Sequence, residues 1–109
     1  MAPKYFVFFR NDDVDDFQPG LEGVTNSFID RRLPLSHGVV PYLVSDKTVS
    51  WLSGLAGSGI EVIQHGFAHK KFDKGEFGGN RSFESQWQDM SQGKKILEER
   101  FGEQFFSMC

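Results

Sequence analysis

Two short clusters contain the residues best suited to chemistry. Asp12 and Asp13 are adjacent, and His65 and His69 are separated by three residues in the run His-Gly-Phe-Ala-His. Each cluster alone has an ordinary explanation, because adjacent aspartates commonly lie in a solvated turn or cap a helix and a single His-x-x-x-His is commonly coincidental. Together, imidazole and carboxylate are the ligand set of zinc and other first-row divalent ions.

The number of these groups favours a catalytic metal site over a structural one. One aspartate and two histidines supply three protein ligands, which leaves a coordination position for water. Such a water can have a pKa near ~7, and the second aspartate can act as its general base. The residues therefore predict a hydrolytic metal centre. Because two histidines and one carboxylate also suit ferrous iron, a non-haem iron protein is an open alternative.

The elements that must position these clusters follow from apolar runs and their punctuation. Strands are predicted over residues 5–9, 38–44, 60–64 and 104–106. Helices are predicted over residues 21–32, after a cap at Ser45-Asp46, and from a cap at Ser82 to Phe101, with Gly102 ending the last one.

Strands that alternate with helices indicate an α/β fold with a parallel sheet and right-handed crossovers. In such folds the functional site lies at the carboxyl ends of the strands. Asp12-Asp13 follows the first predicted strand and His65 follows the third, so the two clusters are expected to meet.

Other polar and aromatic residues receive simpler interpretations. His37 lies at the start of the second predicted strand, away from the expected site, and is interpreted as a loop histidine. Pro41 predicts a bulge or a strand end, because proline removes a donor from the ladder. Trp87 and Met90 are predicted to lie in the core. The segment 70–81, which contains Lys70-Lys71, is predicted to be a solvated loop.

Composition excludes several classes of protein. Twelve basic and fifteen acidic residues among 109 give a net charge of −3, which argues against a nucleic-acid partner. The longest apolar run, residues 5–9, is far shorter than the ~20 residues of a membrane span. The only cysteine is Cys109, so a disulfide scaffold is excluded. We expect a single domain over residues 1–109, soluble and cytoplasmic.

The two clusters also resemble the motifs of a known family. Phe9-Arg10-Asn11-Asp12-Asp13-Val14 resembles the Asp-Asp motif of the polysaccharide deacetylase (NodB-homology) family, and residues 60–69 resemble its second motif, a strand ending in His-x-x-x-His. The helix through Trp87 is similar to the segment that follows. The resemblance implies a distorted (β/α) barrel of metal-dependent amide hydrolases that act mostly on N-acetyl sugars.

The resemblance also implies a role for each residue. Asp12 matches the catalytic base, and Asp13, His65 and His69 match the metal ligands. The implied metal is zinc, with iron, cobalt or nickel as alternatives, and the implied substrate is an acylated carbohydrate or a similar small molecule. The family's usual Thr-Phe-Asp-Asp-Gly is Arg10-Asn11-Asp12-Asp13-Val14 here, which is closer to divergent branches.

The resemblance covers roughly the N-terminal half of the family's barrel. The family's later segments, which supply a carboxylate that tunes the base and a general-acid histidine, have no counterpart in these 109 residues. A half barrel leaves two sheet edges and an apolar face uncovered, so we expect a homo-oligomer, most simply a two-fold dimer. The alternative function is a non-catalytic metal-binding or self-assembling half-barrel protein.

Overall fold

A computed structural model describes residues 4–70 and 75–108. Its strands are β1 (Arg10–Val14), β2 (Leu35–Val39), β3 (Ile60–Gln64) and β4 (Phe105–Met108). Its helices are α1 (Pro19–Asp30), α2 (Asp46–Ser53) and α3 (Phe83–Phe101), and a short 3₁₀ turn over Gly102–Gln104 leads into β4. The alternation of strands and helices confirms the predicted α/β class.

The four strands form one parallel sheet in the order β1-β2-β3-β4. Each strand therefore pairs with the next one along the chain. This order is that of a barrel wall, because a doubly wound sheet reverses its strand order at a switch point. The sheet is consistent with the predicted partial (β/α) barrel.

Local signals explain where the helices begin and end. The Ser45 hydroxyl accepts a hydrogen bond from the Thr48 amide at 3.2 Å and caps α2. Ser82 caps α3 in the same way, accepting from the Ser85 amide at 3.1 Å. Gly102 follows α3 with a φ of 59°, a conformation that favours glycine. The predicted caps are confirmed.

The core is an apolar cluster contributed by the strands and by all three helices. Its buried members are Val14, Leu21, Leu35, Val39, Val44, Leu52, Ile60, Val62, Leu97 and Phe101. On α3 the buried residues are Gly93, Leu97 and Phe101, whereas Trp87 is 59% exposed. The prediction that Trp87 lies in the core was wrong, because the helix turns a different stripe toward the sheet.

The first strand lies five residues later than predicted. Residues 5–9 precede β1 and are exposed, with Phe6 at 96%. Pairing with β2 begins where the Ser36 amide donates to the Phe9 carbonyl at 3.0 Å. An apolar run indicates a preference for burial, but the residues that form a strand are those that can hydrogen-bond to the partner strand. A strand at the edge of a sheet also tolerates polar residues such as Asp12. β2, in contrast, begins earlier than predicted, at Leu35 and not at residue 38.

His37 is a buried residue of β2 and not a loop histidine. Its Nε2 lies 2.8 Å from Thr25 Oγ1, and the Thr25 hydroxyl donates to the Leu21 carbonyl. The hydroxyl oxygen can therefore accept from Nε2–H, which leaves Nδ1 to accept from the Asn11 amide at 3.3 Å. Burial lowers the pKa of His37 to about 4, so the ring is neutral and links β2, α1 and β1.

Within residues 4–70 and 75–108, no helix is long and apolar enough to cross a membrane. The predictions for Lys71 and Cys109 fall outside the residues that the structure describes.

Candidate metal centre

A β-bulge at the carboxyl end of β1 presents the two aspartates. Asn11 pairs with His37 and Val14 pairs with Val39, so three steps along β1 correspond to two along β2. Asp13 adopts a left-handed conformation with a φ of 61°. Bulges re-aim side chains and are frequent near active sites. This one points Asp13 toward the neighbouring strands instead of continuing the pleat.

The histidines lie on a curled segment that follows β3. The His65 amide donates to the Val39 carbonyl at 2.9 Å, so the start of the segment stays attached to β2. Gly66 and His69 have left-handed φ values of 63° and 56°. The two turns bring the rings of His65 and His69 to a centroid separation of 5.8 Å.

Asp13, His65 and His69 converge with metal-ligand geometry. Asp13 Oδ1 lies 2.8 Å from His65 Nε2 and 3.3 Å from His69 Nε2. One ligand atom from each residue lies within 4.8 Å of the others. Because Zn²⁺ bonds of about 2.0–2.2 Å separate tetrahedral ligand atoms by roughly 3.4 Å, this donor set fits a zinc-sized ion. The structure thus brings together the three residues that the sequence analysis singled out as ligands.

The three ligand candidates differ in how far they are open to solvent. The Asp13 and His69 side chains are 60% and 54% exposed, whereas that of His65 is 26% exposed. A small molecule can therefore approach the triad from the Asp13 and His69 side. A cavity of about 300 Å³ adjoins the two histidines of the triad and is lined by Arg10, His65, Gly66, His69, Glu76 and Phe77.

Asp12 lies on the other side of the His65 ring from Asp13. Its Oδ1 is 3.9 Å from His65 Nδ1. Both of its oxygens accept hydrogen bonds from Arg10, from Nε at 2.9 Å and from a terminal nitrogen at 2.8 Å. The hydrogen bond from Arg10 lowers the pKa of Asp12 more than its slight burial raises it. Asp12 is therefore ionised at neutral pH.

Two residues beside Asp12 were missed in the sequence analysis. Arg10 is two positions from Asp12, and strand alternation puts such residues on one face, so the strand assignment would have revealed the pair. Gly38 lies under the site, since a Cβ there would be 2.8 Å from Asp12 Oδ1 and 3.3 Å from the His65 Cβ. Only the register of β1 against β2 reveals this second contact.

Glu76 belongs to the segment predicted to be a solvated loop, yet it lies against the histidines. Its carboxylate accepts hydrogen bonds from the amides of Phe67 and Ala68 at 2.8 and 2.7 Å. Glu76 was not predicted to belong to the site, because no local pattern in the sequence marks it.

Neither a protein-family model nor a curated protein sequence matches the chain. Among solved structures, the chain is similar to the crystal structure of the Xyl-CE4 domain of a multidomain xylanase from the hindgut metagenome of Trinervitermes trinervoides. The TM-score is 0.66 and the sequence identity is 14%. The match covers 93% of this chain and 47% of the other, so this chain spans about half of that one. The similarity shows a shared fold.

Proposed function

We propose that this protein is a metal-dependent hydrolase of the polysaccharide deacetylase type. It would remove an N- or O-acyl group from a carbohydrate or a similar small substrate. The observation that carries the proposal is the convergence of Asp13, His65 and His69 at the carboxyl edge of a parallel sheet. Similarity to a CE4 fold supports it, because CE4 is carbohydrate esterase family 4, the polysaccharide deacetylase family.

Asp13, His65 and His69 would hold the ion, which we propose to be zinc. When bound, the ion supplies Lewis-acid polarisation of a carbonyl and an activated water at neutral pH. The exposure of Asp13 and His69 leaves room for a substrate beside the triad. The adjoining cavity of about 300 Å³ matches the small end of ligand pockets and would accept an acyl group with part of a sugar ring.

Asp12 is the proposed general base. Arg10 holds its carboxylate ionised and in one orientation, so it can accept a proton at neutral pH. The hydrogen bonds from Arg10 also lower the pKa of Asp12, which makes its carboxylate a weaker base. We therefore propose slow turnover, and loss of the base in Asp12→Asn should reduce it further by roughly 10²–10⁴-fold.

The first test is elemental analysis of the untagged protein and of the His65→Ala/His69→Ala variant. Near-stoichiometric metal that is lost in the variant supports the site, and deacetylation of acetylated xylan and N-acetylated oligosaccharides then tests the reaction. Asp12→Asn should keep the metal and lose turnover. A wild-type protein that binds no metal after reconstitution with Zn²⁺ contradicts the proposal.

A binding protein that keeps the metal without turnover is the second candidate. One observation favours it: both oxygens of Asp12 are engaged by Arg10. Arg10→Ala discriminates between the candidates, because it frees the carboxylate and raises its pKa. If wild type and Arg10→Ala both bind metal and neither turns over any acylated substrate, the binding function is the better description.

We also propose that the protein self-associates, most simply as a two-fold dimer. Among the strands of residues 4–70 and 75–108, β1 and β4 form the two edges of the sheet. A contiguous run of exposed apolar residues, 5–8, precedes β1, with Phe6 at 96%, and Phe106 of β4 is 72% exposed. Patches of this kind mark interfaces. Sedimentation at micromolar concentration should reveal a dimer that Phe6→Ser weakens, and a well-folded wild-type monomer contradicts this proposal.

A further inference from the structure

We propose that Glu76 is a positioning residue that holds the segment from His65 to His69 in the conformation in which both imidazoles face Asp13. The inference rests on the proposed metal function and deepens it. Glu76 is not one of the three clustered ligand candidates. Its carboxylate instead binds the backbone between His65 and His69.

Three backbone amides converge on the Glu76 carboxylate. Oε1 accepts from the Phe67 amide at 2.8 Å, and Oε2 accepts from the Ala68 amide at 2.7 Å and from the Lys70 amide at 3.4 Å. Hydrogen bonds to an ionised acceptor are stronger than neutral ones. The carboxylate therefore acts as an anion bound in a curled backbone.

The need for this carboxylate follows from the local backbone. β3 ends at Gln64, and although the His65 amide still donates to the Val39 carbonyl of β2, the Phe67, Ala68 and Lys70 amides donate to Glu76 and not to the sheet. The left-handed residues Gly66 and His69 curl the segment and turn those amides inward. Ala68 is buried, and an unpaired amide in such a place is destabilising. Without Glu76, the Phe67, Ala68 and Lys70 amides lose their acceptor, whereas the Phe67 carbonyl keeps its hydrogen bond from the Tyr42 amide.

Glu76 is itself anchored to the rest of the fold. The Arg81 guanidinium donates to the Glu76 carbonyl and forms an ion pair with Asp89 of α3 at 2.7 Å. A Cβ on Gly66 would collide with Glu76 Oε1, so glycine at this position permits the close approach. The segment is thus held at His65 by β2 and at its middle by a group fixed to α3.

Zn²⁺ affinity of the metal-free full chain, measured by competition with a chromophoric chelator, tests the inference. Glu76→Gln keeps the size of the side chain but replaces one acceptor oxygen with an NH₂ group. This group is a donor and cannot accept a hydrogen bond from the backbone amide that faces it. Loss of such an outer contact weakens metal binding by about 10- to 100-fold. Glu99→Gln, which removes an exposed carboxylate of α3, is the matched control and should leave the affinity unchanged.

A double-variant cycle separates positioning from simple charge attraction. In a His69→Ala background, Glu76→Gln should have little further effect on affinity if it acts by directing His69. If Glu76→Gln weakens Zn²⁺ binding equally in the wild type and in His69→Ala, the Glu76 charge attracts the ion directly and does not act through His69. This result overturns the inference.

Amide hydrogen exchange without metal gives an independent measurement of the same claim. The Phe67 and Ala68 amides should exchange at least about tenfold faster in Glu76→Gln than in Glu99→Gln. If Glu76→Gln fails to fold, Glu76→Asp, whose shorter side chain draws the carboxylate away from the Phe67 and Ala68 amides, should give the same acceleration. Equal exchange and equal Zn²⁺ affinity overturn the inference and leave the proposed function intact. A wild type that binds no Zn²⁺ refutes the proposed function, and the exchange rates still decide whether Glu76 holds the segment.

Discussion

The buried imidazole of His37 predicts a specific dependence of stability on pH. Burial lowers its pKa to about 4 from the usual 6.5. The unfolded chain therefore binds a proton on this residue at a pH where the folded protein does not. Stability then rises with pH across the window from about 4 to 6.5 and is insensitive to this group above it.

The size of the effect follows from the two pKa values. Each pKa unit corresponds to about 1.36 kcal/mol, so acidification from about pH 8 to about pH 4 should remove about 3 kcal/mol of stability through His37 alone. This is a large fraction of the ~5–15 kcal/mol that stabilises an ordinary domain. The ring is fully buried, so solvent does not screen its charge.

The assay is urea unfolding at about pH 8 and about pH 4, in chelator, for wild type and His37→Gln. All other ionisable groups are the same in both proteins, so the difference between the two pH dependences isolates His37. Wild type should lose about 3 kcal/mol more than the variant. Thr25→Val is the control: it removes the partner of Nε2 but keeps the burial, so the pH dependence should persist while stability falls by about 1–3 kcal/mol at both pH values.

Two results would refute this reasoning. One is an equal pH dependence in wild type and His37→Gln. The other is a His37 pKa near 6.5 by NMR titration of the folded protein, since it would mean that burial does not exclude the charged ring.

Three further predictions concern single contacts. Gly93→Ala should lower the free energy of unfolding by about 1–3 kcal/mol in urea, because the added Cβ collides with Gln64 Nε2 in a buried part of the structure. Ser82→Ala should lower it by about 1 kcal/mol through loss of the α3 cap, whereas Ser82→Asp should not. Arg10→Ala should raise the pKa of Asp12 in an NMR titration, because the hydrogen bond from Arg10 is the main cause of its lowering. Unchanged stability in Gly93→Ala or in Ser82→Ala would contradict the role given to that contact. An unchanged Asp12 pKa in Arg10→Ala would do the same for the hydrogen bond from Arg10.

Elements with strong local signals could be predicted from the sequence. The boundaries of β3, residues 60–64, are correct, and so are the caps at Ser45 and Ser82 and the glycine that ends α3. These features depend on residues a few positions apart, whose preferences act wherever the segment lies. The parallel sheet followed from the order of the elements, because a strand, a helix and a strand pack together in few ways.

Elements whose position depends on a distant partner could not be predicted in the same way. The apolar run at residues 5–9 lies outside the sheet, and the polar residues after it form β1, because the ladder is set by pairing with β2. The buried state of His37 depends on Thr25 and Asn11, which other elements supply. The sequence contains these residues without a pattern that joins them.

The sequence by itself determined the class of fold and identified one aspartate of the pair Asp12-Asp13, with His65 and His69, as metal ligands, since residue type decides which groups can bind a metal. The resemblance to the deacetylase motif implied that the aspartate is Asp13. Only the tertiary structure decided that the three ligand atoms converge, that Gly38 lies under Asp12 and that Glu76 binds the histidine segment. The physical reason is distance along the chain. Propensities act between near neighbours, whereas the geometry of a site depends on registers, bulges and curled segments that exist only once the strands have paired.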